Sequence, residues 1–237
     1  LDLKTFEKDA NGDPLSVLFG QIRAAGTVFP NENEATINLG LGYRTIVNEN
    51  SLYGINGFLD HRILKDVSGG FSRFGLGFEY FWQNLEFRNN WYIPITGEKD
   101  VNGYTYRIVP GADIEVGYRL PQMPEVATYL KAFYWDYKHR DDNVGVQAAV
   151  NYQVNPHINS ELFVSNEDRT ASKVTQDGDN IWRVGLNVNY SINPVTDLGA
   201  GFSKEQLQAQ LYKPVRRNYN VLIEQRVKAS VTISRGD

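Results

Sequence analysis

The residues best suited to chemistry are paired carboxylates and scattered histidines. Asp113 and Glu115 stand two apart, on one face of an extended run. Arg73 and Glu79 share a face of another such run. Two carboxylates side by side can divide acid and base roles, as a protease or acyl-hydrolase barrel would require. The same residues serve without chemistry as a charged lining, carboxylates balancing arginines. The second reading is favoured, because these carboxylates have a role without chemistry, balancing Arg44, Arg73, Arg88, Arg119 and Arg183. His61, His139 and His157 fall at strand ends or in loops and form no metal-ligand pattern. No catalytic, cofactor-binding or metal residue is therefore assigned, and an enzyme is not expected. Arg235-Gly236-Asp237 spells an adhesion tripeptide and is read as chance. The turn at 120–124, Leu-Pro-Gln-Met-Pro, is read as a tight corner fixed by proline.

The elements that carry these residues repeat with period 2. Residues 35–44 read ATINLGLGYR, with Ala35, Ile37, Leu39, Leu41 and Tyr43 on one face and Thr36, Asn38, Gly40, Gly42 and Arg44 on the other. Phe74, Leu76, Phe78 and Tyr80 alternate with Arg73, Gly75, Gly77 and Glu79. The runs 144–152 and 182–190 behave alike, the latter placing Arg183 and Asn187 on its polar face. Such alternation means antiparallel strands with one apolar face. A soluble sandwich has the same period, so the polar face decides. It is built of Gly, Asn, Glu and Arg rather than the Lys, Ser and Thr of a solvated face. Glycine there is expected to leave room for long arginines. The apolar runs end in Tyr or Trp, as in the aromatic girdles of outer-membrane barrels.

Composition agrees. The 237 residues include 14 Tyr, 12 Phe, 4 Trp and 21 Gly, with 1 Met and no Cys. Thiol chemistry is excluded. Net charge is −4 with mixed signs, and no basic stripe points to nucleic acid. No apolar run approaches the ~18 residues of a membrane helix. Eleven strands are read, at 1–8, 15–28, 35–47, 51–61, 71–82, 84–95, 105–120, 126–137, 143–154, 157–166 and 180–192. Most are long enough to span a bilayer with tilt, which takes roughly 9–11 residues. Connections alternate between short (9–14, 48–50, 83, 120–125, 155–156) and longer (30–34, 61–70, 96–104, 138–142, 167–180). Outer-membrane barrels have short periplasmic turns, longer outer loops and an even strand count. The first strand of such a barrel is therefore expected before Leu1.

After Pro194 the alternation stops. Residues 203–212 (SKEQLQAQLY) read as a short helix, with Ser203 as its cap and Leu207 and Leu211 at i, i+4. Pro214 ends it. Residues 216–228 (RRNYNVLIEQRVK) are extended. They read either as a closing barrel strand or as a segment inside the barrel. Val221-Leu222-Ile223 breaks clean alternation, and RRNYN and EQR are polar enough for an interior.

The pieces LDLKTFE, LFGQI, INLGLGYR, YGINGFLD, RFGLGFEYFW, PGADIEVGYRLPQMP, NYQVNP, VGLNVNY and RRNYNVLIEQRVK, in this order, resemble the translocator barrel of inverse autotransporters, the intimin/invasin family. The resemblance implies an all-β transmembrane antiparallel barrel of twelve strands in the bacterial outer membrane, with a C-terminal helix and an extended linker in the pore. It divides the chain into a barrel, 1–193, and a helix with linker, 194–237. It implies no cofactor. The implied partners are outer-membrane lipid, the barrel-assembly machinery, periplasmic chaperones and a passenger in cis, with a host receptor reached only through that passenger. The loop at 96–104 is shorter than in intimin, so surface-loop roles do not carry over.

On this reading Arg44, Arg73, Glu79, Arg88, Asp113, Glu115, Arg119, Arg183 and Asn187 line the pore. Arg216, Arg217, Asn218, Tyr219, Asn220, Leu222 and Glu224 form the linker. Two functions remain open: export and display of a C-terminal adhesin-type passenger, or a small porin or transport barrel with the C-terminal segment as plug or closing strand.

Overall fold

A computed structural model describes residues 2–29, 32–65, 67–139, 141–169, 179–190 and 204–227. The expected cap Ser203, the proposed division at 193–194, Lys228 and the tripeptide at 235–237 lie outside the described residues. So does the twelfth strand, expected before Leu1. The strands are β1 (Asp2–Lys8), β2 (Pro14–Phe29), β3 (Glu32–Asn48), β4 (Ser51–Leu64), β5 (Val67–Trp82), β6 (Leu85–Pro94), β7 (Lys99–Val101), β8 (Tyr104–Ile108), β9 (Gly111–Leu120), β10 (Met123–Trp135), β11 (Asn143–Asn155), β12 (Ile158–Arg169) and β13 (Asp179–Tyr190). Helix α1 (Lys204–Leu211) and β14 (Ile223–Val227) follow.

Eleven of these strands form one antiparallel sheet in the order β1-β2-β3-β4-β5-β6-β9-β10-β11-β12-β13. These correspond to the eleven read from the sequence, with one run divided and another shifted. The run 105–120 is two strands. Pro110 offers no N–H to a ladder, so pairing breaks there. Residues 111–120 stay in the large sheet beside β6. Residues 104–108 leave it and pair with β7 through a two-residue Asn102-Gly103 turn, both at positive φ, the geometry that joins twisted strands. The loop expected at 96–104 thus holds half of a hairpin. The strand expected at 126–137 runs instead from Met123 to Trp135.

The alternation is seen side chain by side chain. Leu39, Leu41, Phe74, Leu76, Val146, Val184 and Leu186 are exposed along the sheet's outer face. Arg73, Gly75, Gly77 and Glu79 are buried on the opposite face. Glycines on that inner face mostly make room for aromatic rings rather than for arginine, contrary to expectation. A Cβ on Gly40 would lie 2.2 Å from the Phe58 ring, and one on Gly145 would lie 2.1 Å from Phe133. Each ring covers a glycine on the neighbouring strand, which pins register.

The hairpin turns at 9–13, 49–50, 83–84, 121–122 and 156–157 gather at one end of the sheet. The β7–β8 hairpin and the 136–142 connection stand at the other. Apolar clusters mark both ends. Val17, Phe19, Ile46, Leu52, Phe58 and Phe81 pack with Leu207, Leu211 and Val215, mostly near the short turns. Val67, Phe71 and Ile108 pack with Val221 at the far end.

Candidate functional site

The inner face of the sheet encloses the C-terminal segment, and the contacts follow the chain in order. Leu207 and Leu211, one turn apart on α1, are fully buried against the short-turn cluster. Lys204 pairs with Asp9 in the first turn. That hydrogen bond and charge hold the Asp9 carboxyl below its ordinary range. The last carbonyls of a helix lack intrahelical donors and carry the negative end of its dipole. Arg44 meets them, donating to Gln210 O at 2.7 Å and Lys213 O at 2.6 Å while its other nitrogens hold Glu79 at 2.8–2.9 Å.

From there the chain runs toward the long-loop end. Val215 N donates to Gln21 Oε1 at 3.0 Å. Arg73 donates to Asn218 O at 2.6 Å, Asn38 to Tyr219 O at 3.0 Å and Arg62 to Val221 O at 2.6 Å. Tyr92 Oη accepts from Asn218 N at 2.7 Å and donates to Asp113 at 2.6 Å. Val109 N then donates to Leu222 O at 3.0 Å. Leu222 packs on the Tyr92, Val109, Trp135 and Tyr137 cluster. Ile223–Val227 becomes β14 and pairs antiparallel with β8, completing a three-stranded sheet β14-β8-β7. Glu224 accepts from the amides of Lys138 and His139 at 3.3 and 3.1 Å. A segment without its own ladder would leave its carbonyls unpaired, at a cost of about 1–3 kcal/mol each. Here the sheet's side chains supply the donors.

The tail's side chains divide between opposite strands. Arg217 forks onto Asp60, both N–O distances 2.9 Å, and Arg73 joins the same carboxylate at 2.8 Å. Arg216 bonds Glu115 at 2.8 Å and Glu161 at 2.5 Å. Tyr219 Oη accepts from Gln21 Nε2 at 2.6 Å and donates to the Val215 carbonyl, and Asn220 is exposed. Arg88 lies between Glu86 at 2.7 Å, Glu115 at 3.4 Å and Glu79 at 3.5 Å, and Arg119 lies 3.8 Å from Glu86. Arg44, Arg73, Glu79, Arg88, Asp113, Glu115 and Arg119 thus share one charged band. Asp113 and Glu115 are not a coupled acid pair, since Asn90 and Tyr92 hold the first and Arg216, Lys131 and Arg88 the second. Arg183 and Asn187 sit apart on β13, Arg183 paired with Glu167 and Asn187 exposed. A cavity of about 1200 Å³ lies between the tail and the sheet, lined by Lys131, Gln147, Asn159 and Glu161 on one side and reaching Gln21 and Arg23 of β2. Sequence reasoning left out Gln21, Asp60, Arg62, Tyr92 and Glu161. All but Arg62 lie on strands it drew, so the parity of each run was the available signal there; Arg62 sits on the end of β4, in the stretch read as a loop.

The family model described as "Inverse autotransporter, beta-domain" matches residues 3–219. Among curated proteins, the putative attaching and effacing protein homolog of Escherichia coli (strain K12) is 31% identical over 153 residues, 63% of this chain and 48% of that protein. The inverse autotransporter adhesin YeeJ of the same organism is 28% identical over 89% of this chain and 9% of its own length. Invasin of Yersinia enterocolitica is 24% identical over 86% of this chain and 25% of its own length. The chain therefore spans half or less of each. A membrane protein solved in a study of in-meso crystallization superposes with a TM-score of 0.65 at 20% identity, over 95% of this chain and 90% of that one. This likeness shows the fold alone. The family match covers most of the chain, including the tail as far as Tyr219, and so the chain belongs to the inverse autotransporter β-domain family of the bacterial outer membrane.

Proposed function

We propose that this β-domain anchors in the outer membrane and exports a C-terminal, adhesin-type passenger, which its tail then tethers at the cell surface. The observation that carries this reading is the order of contacts. Helix α1 lies at the short-turn end and β14 pairs at the long-loop end, so residues 212–222 run the length of the sheet. Short turns are periplasmic in outer-membrane barrels, so this direction leads outward. The nine site residues on the sheet line the pore, and Arg216 to Glu224 form the linker within it. Residues 1–193 are the barrel and 194–237 the helix and linker. The carboxylates serve as ion-pair partners, and no reaction is assigned to them. Outer-membrane lipid covers the exposed apolar face. The barrel-assembly machinery and periplasmic chaperones deliver the chain, and a host receptor is met only by the passenger.

The test is a protease-cleavable epitope placed after Asp237 in the full-length protein. Protease added to intact cells should release it. An epitope protected until the outer membrane is permeabilised would overturn the reading. A small porin plugged by its tail would then move ahead. The other form of that alternative, a closing strand, is at odds with β14 pairing to β8 rather than to β1 or β13.

A further inference from the structure

We infer that Arg216 and Arg217 form a two-pin latch that sets the register at which the exported chain comes to rest. This rests on the display reading above. Successive side chains of an extended segment point to opposite sides, and these two arginines use that fact. Arg217 reaches Asp60 on β4, and Arg216 reaches Glu115 on β9 and Glu161 on β12. Both sockets are shaped for a guanidinium. Arg217 lies over the Phe58 ring at 4.3 Å, in space that only a glycine at 75 leaves open, since a Cβ there would meet it at 2.1 Å. Arg216 lies 3.9 Å over the Tyr129 ring. Forked hydrogen bonds and ring stacking favour arginine over lysine.

The sockets are also tolerable when empty. Asp60 keeps Arg73 at 2.8 Å and Asn38 at 2.8 Å, and Glu115 keeps Lys131 at 3.2 Å. Chain without adjacent cations can therefore pass while Asp60 and Glu115 stay paired, and only Glu161 gives up its described ion-pair partner. Register follows from the pairing. A slip of one residue leaves one socket without its arginine, because Val215 or Asn218 takes that place. A slip of two residues, about 7 Å, empties both.

The tail's ladder with β8 reports register directly, and the chain has no cysteine of its own. Gln225 stands opposite Tyr106. After an outward slip of two residues, Ile223 would stand there. In the full-length protein, Y106C with Q225C should crosslink under oxidation, and Y106C with I223C should not. Adding R216Q and R217Q should let both pairs form to comparable extents, while R216K with R217K should restore much of the preference for Q225C. Barrel folding is checked by heat-modifiable migration. If the double variant fails to fold, R217Q alone gives the same readout. An unchanged crosslinking pattern in the glutamine variants would overturn the latch and leave the display reading standing. Failure of Y106C with Q225C in the otherwise native protein would overturn the display reading itself.

Discussion

Asp60 is fully buried and holds two guanidiniums, one from the sheet and one from the tail. Removing one partner of a buried pair costs about 3–5 kcal/mol, because the other charge stays buried without compensation. Asp60→Asn should therefore lower the urea midpoint of refolded protein, and adding R217Q should recover part of the loss. Midpoints that fall further in the double variant would contradict this account. The outer face obeys a different rule. Leu186→Arg places a charge toward lipid and should cost about 2–4 kcal/mol if it lies near the bilayer midplane. Its neighbour Asn187→Arg points to the other side and should refold almost normally. Equal damage from the two would argue against the face assignment. The arginines and acids of the band were legible because each sits on the polar side of a period-2 run. Asp60 and Tyr92 also sit on the inner side of drawn strands, but parity alone gives no role, and what assigns theirs is the tail, more than a hundred positions downstream in the chain.

At the scale of elements, α1 is short for a helix that must stand alone. Isolated helices below about 12–15 residues are marginal in water, so its contacts must hold it. Arg44 supplies the cation at its C-terminal carbonyls, and Leu207 and Leu211 supply its buried stripe. Arg44→Met should speed hydrogen exchange across 204–211 at least several-fold while amides of β11 and β12 change little, as mass spectrometry can show. At the other end of the helix, the depressed Asp9 carboxyl gives a sign for pH. Its contribution is complete above the ordinary aspartate range and is lost as pH falls through the lowered value. Exchange in the helix should rise on strong acidification in the native protein, and Asp9→Asn should remove that part of the rise. The helix itself was readable from its i, i+4 leucines and Pro214. The β7–β8 hairpin was not. Residues 105–120 alternate well enough to pass for one strand, and that alternation masked two local signals, the Asn102-Gly103 turn and the missing N–H of Pro110.

For the whole molecule, the tail behaves as a ligand attached to its own receptor. A ligand that binds only the folded state stabilises it. This one brings Leu207, Leu211, Val215 and Val221 into clusters at both ends, and two arginines into the charged band between. Deleting residues 204–237 should lower the unfolding midpoint of the β-domain without abolishing its β-rich circular dichroism. Deleting residues 214–237 should raise single-channel conductance in planar bilayers, since Arg216 and Arg217 occupy the space between β4 and β12. Unchanged conductance would mean that the tail does not fill the pore.

The β14–β8 ladder has a mechanical consequence. On the proposed function, a displayed passenger that is held from outside pulls the tail away from the membrane. If that pull acts along β14, sliding it past the antiparallel β8 loads the five paired positions from Ile223 to Val227 together, in shear rather than one by one. Behind them, the carbonyl of Leu222 is tied to Val109, and α1 is a knob too wide to follow a single extended strand. Tension would be met first by the β7–β8 hairpin and only later by the helix at the opposite end.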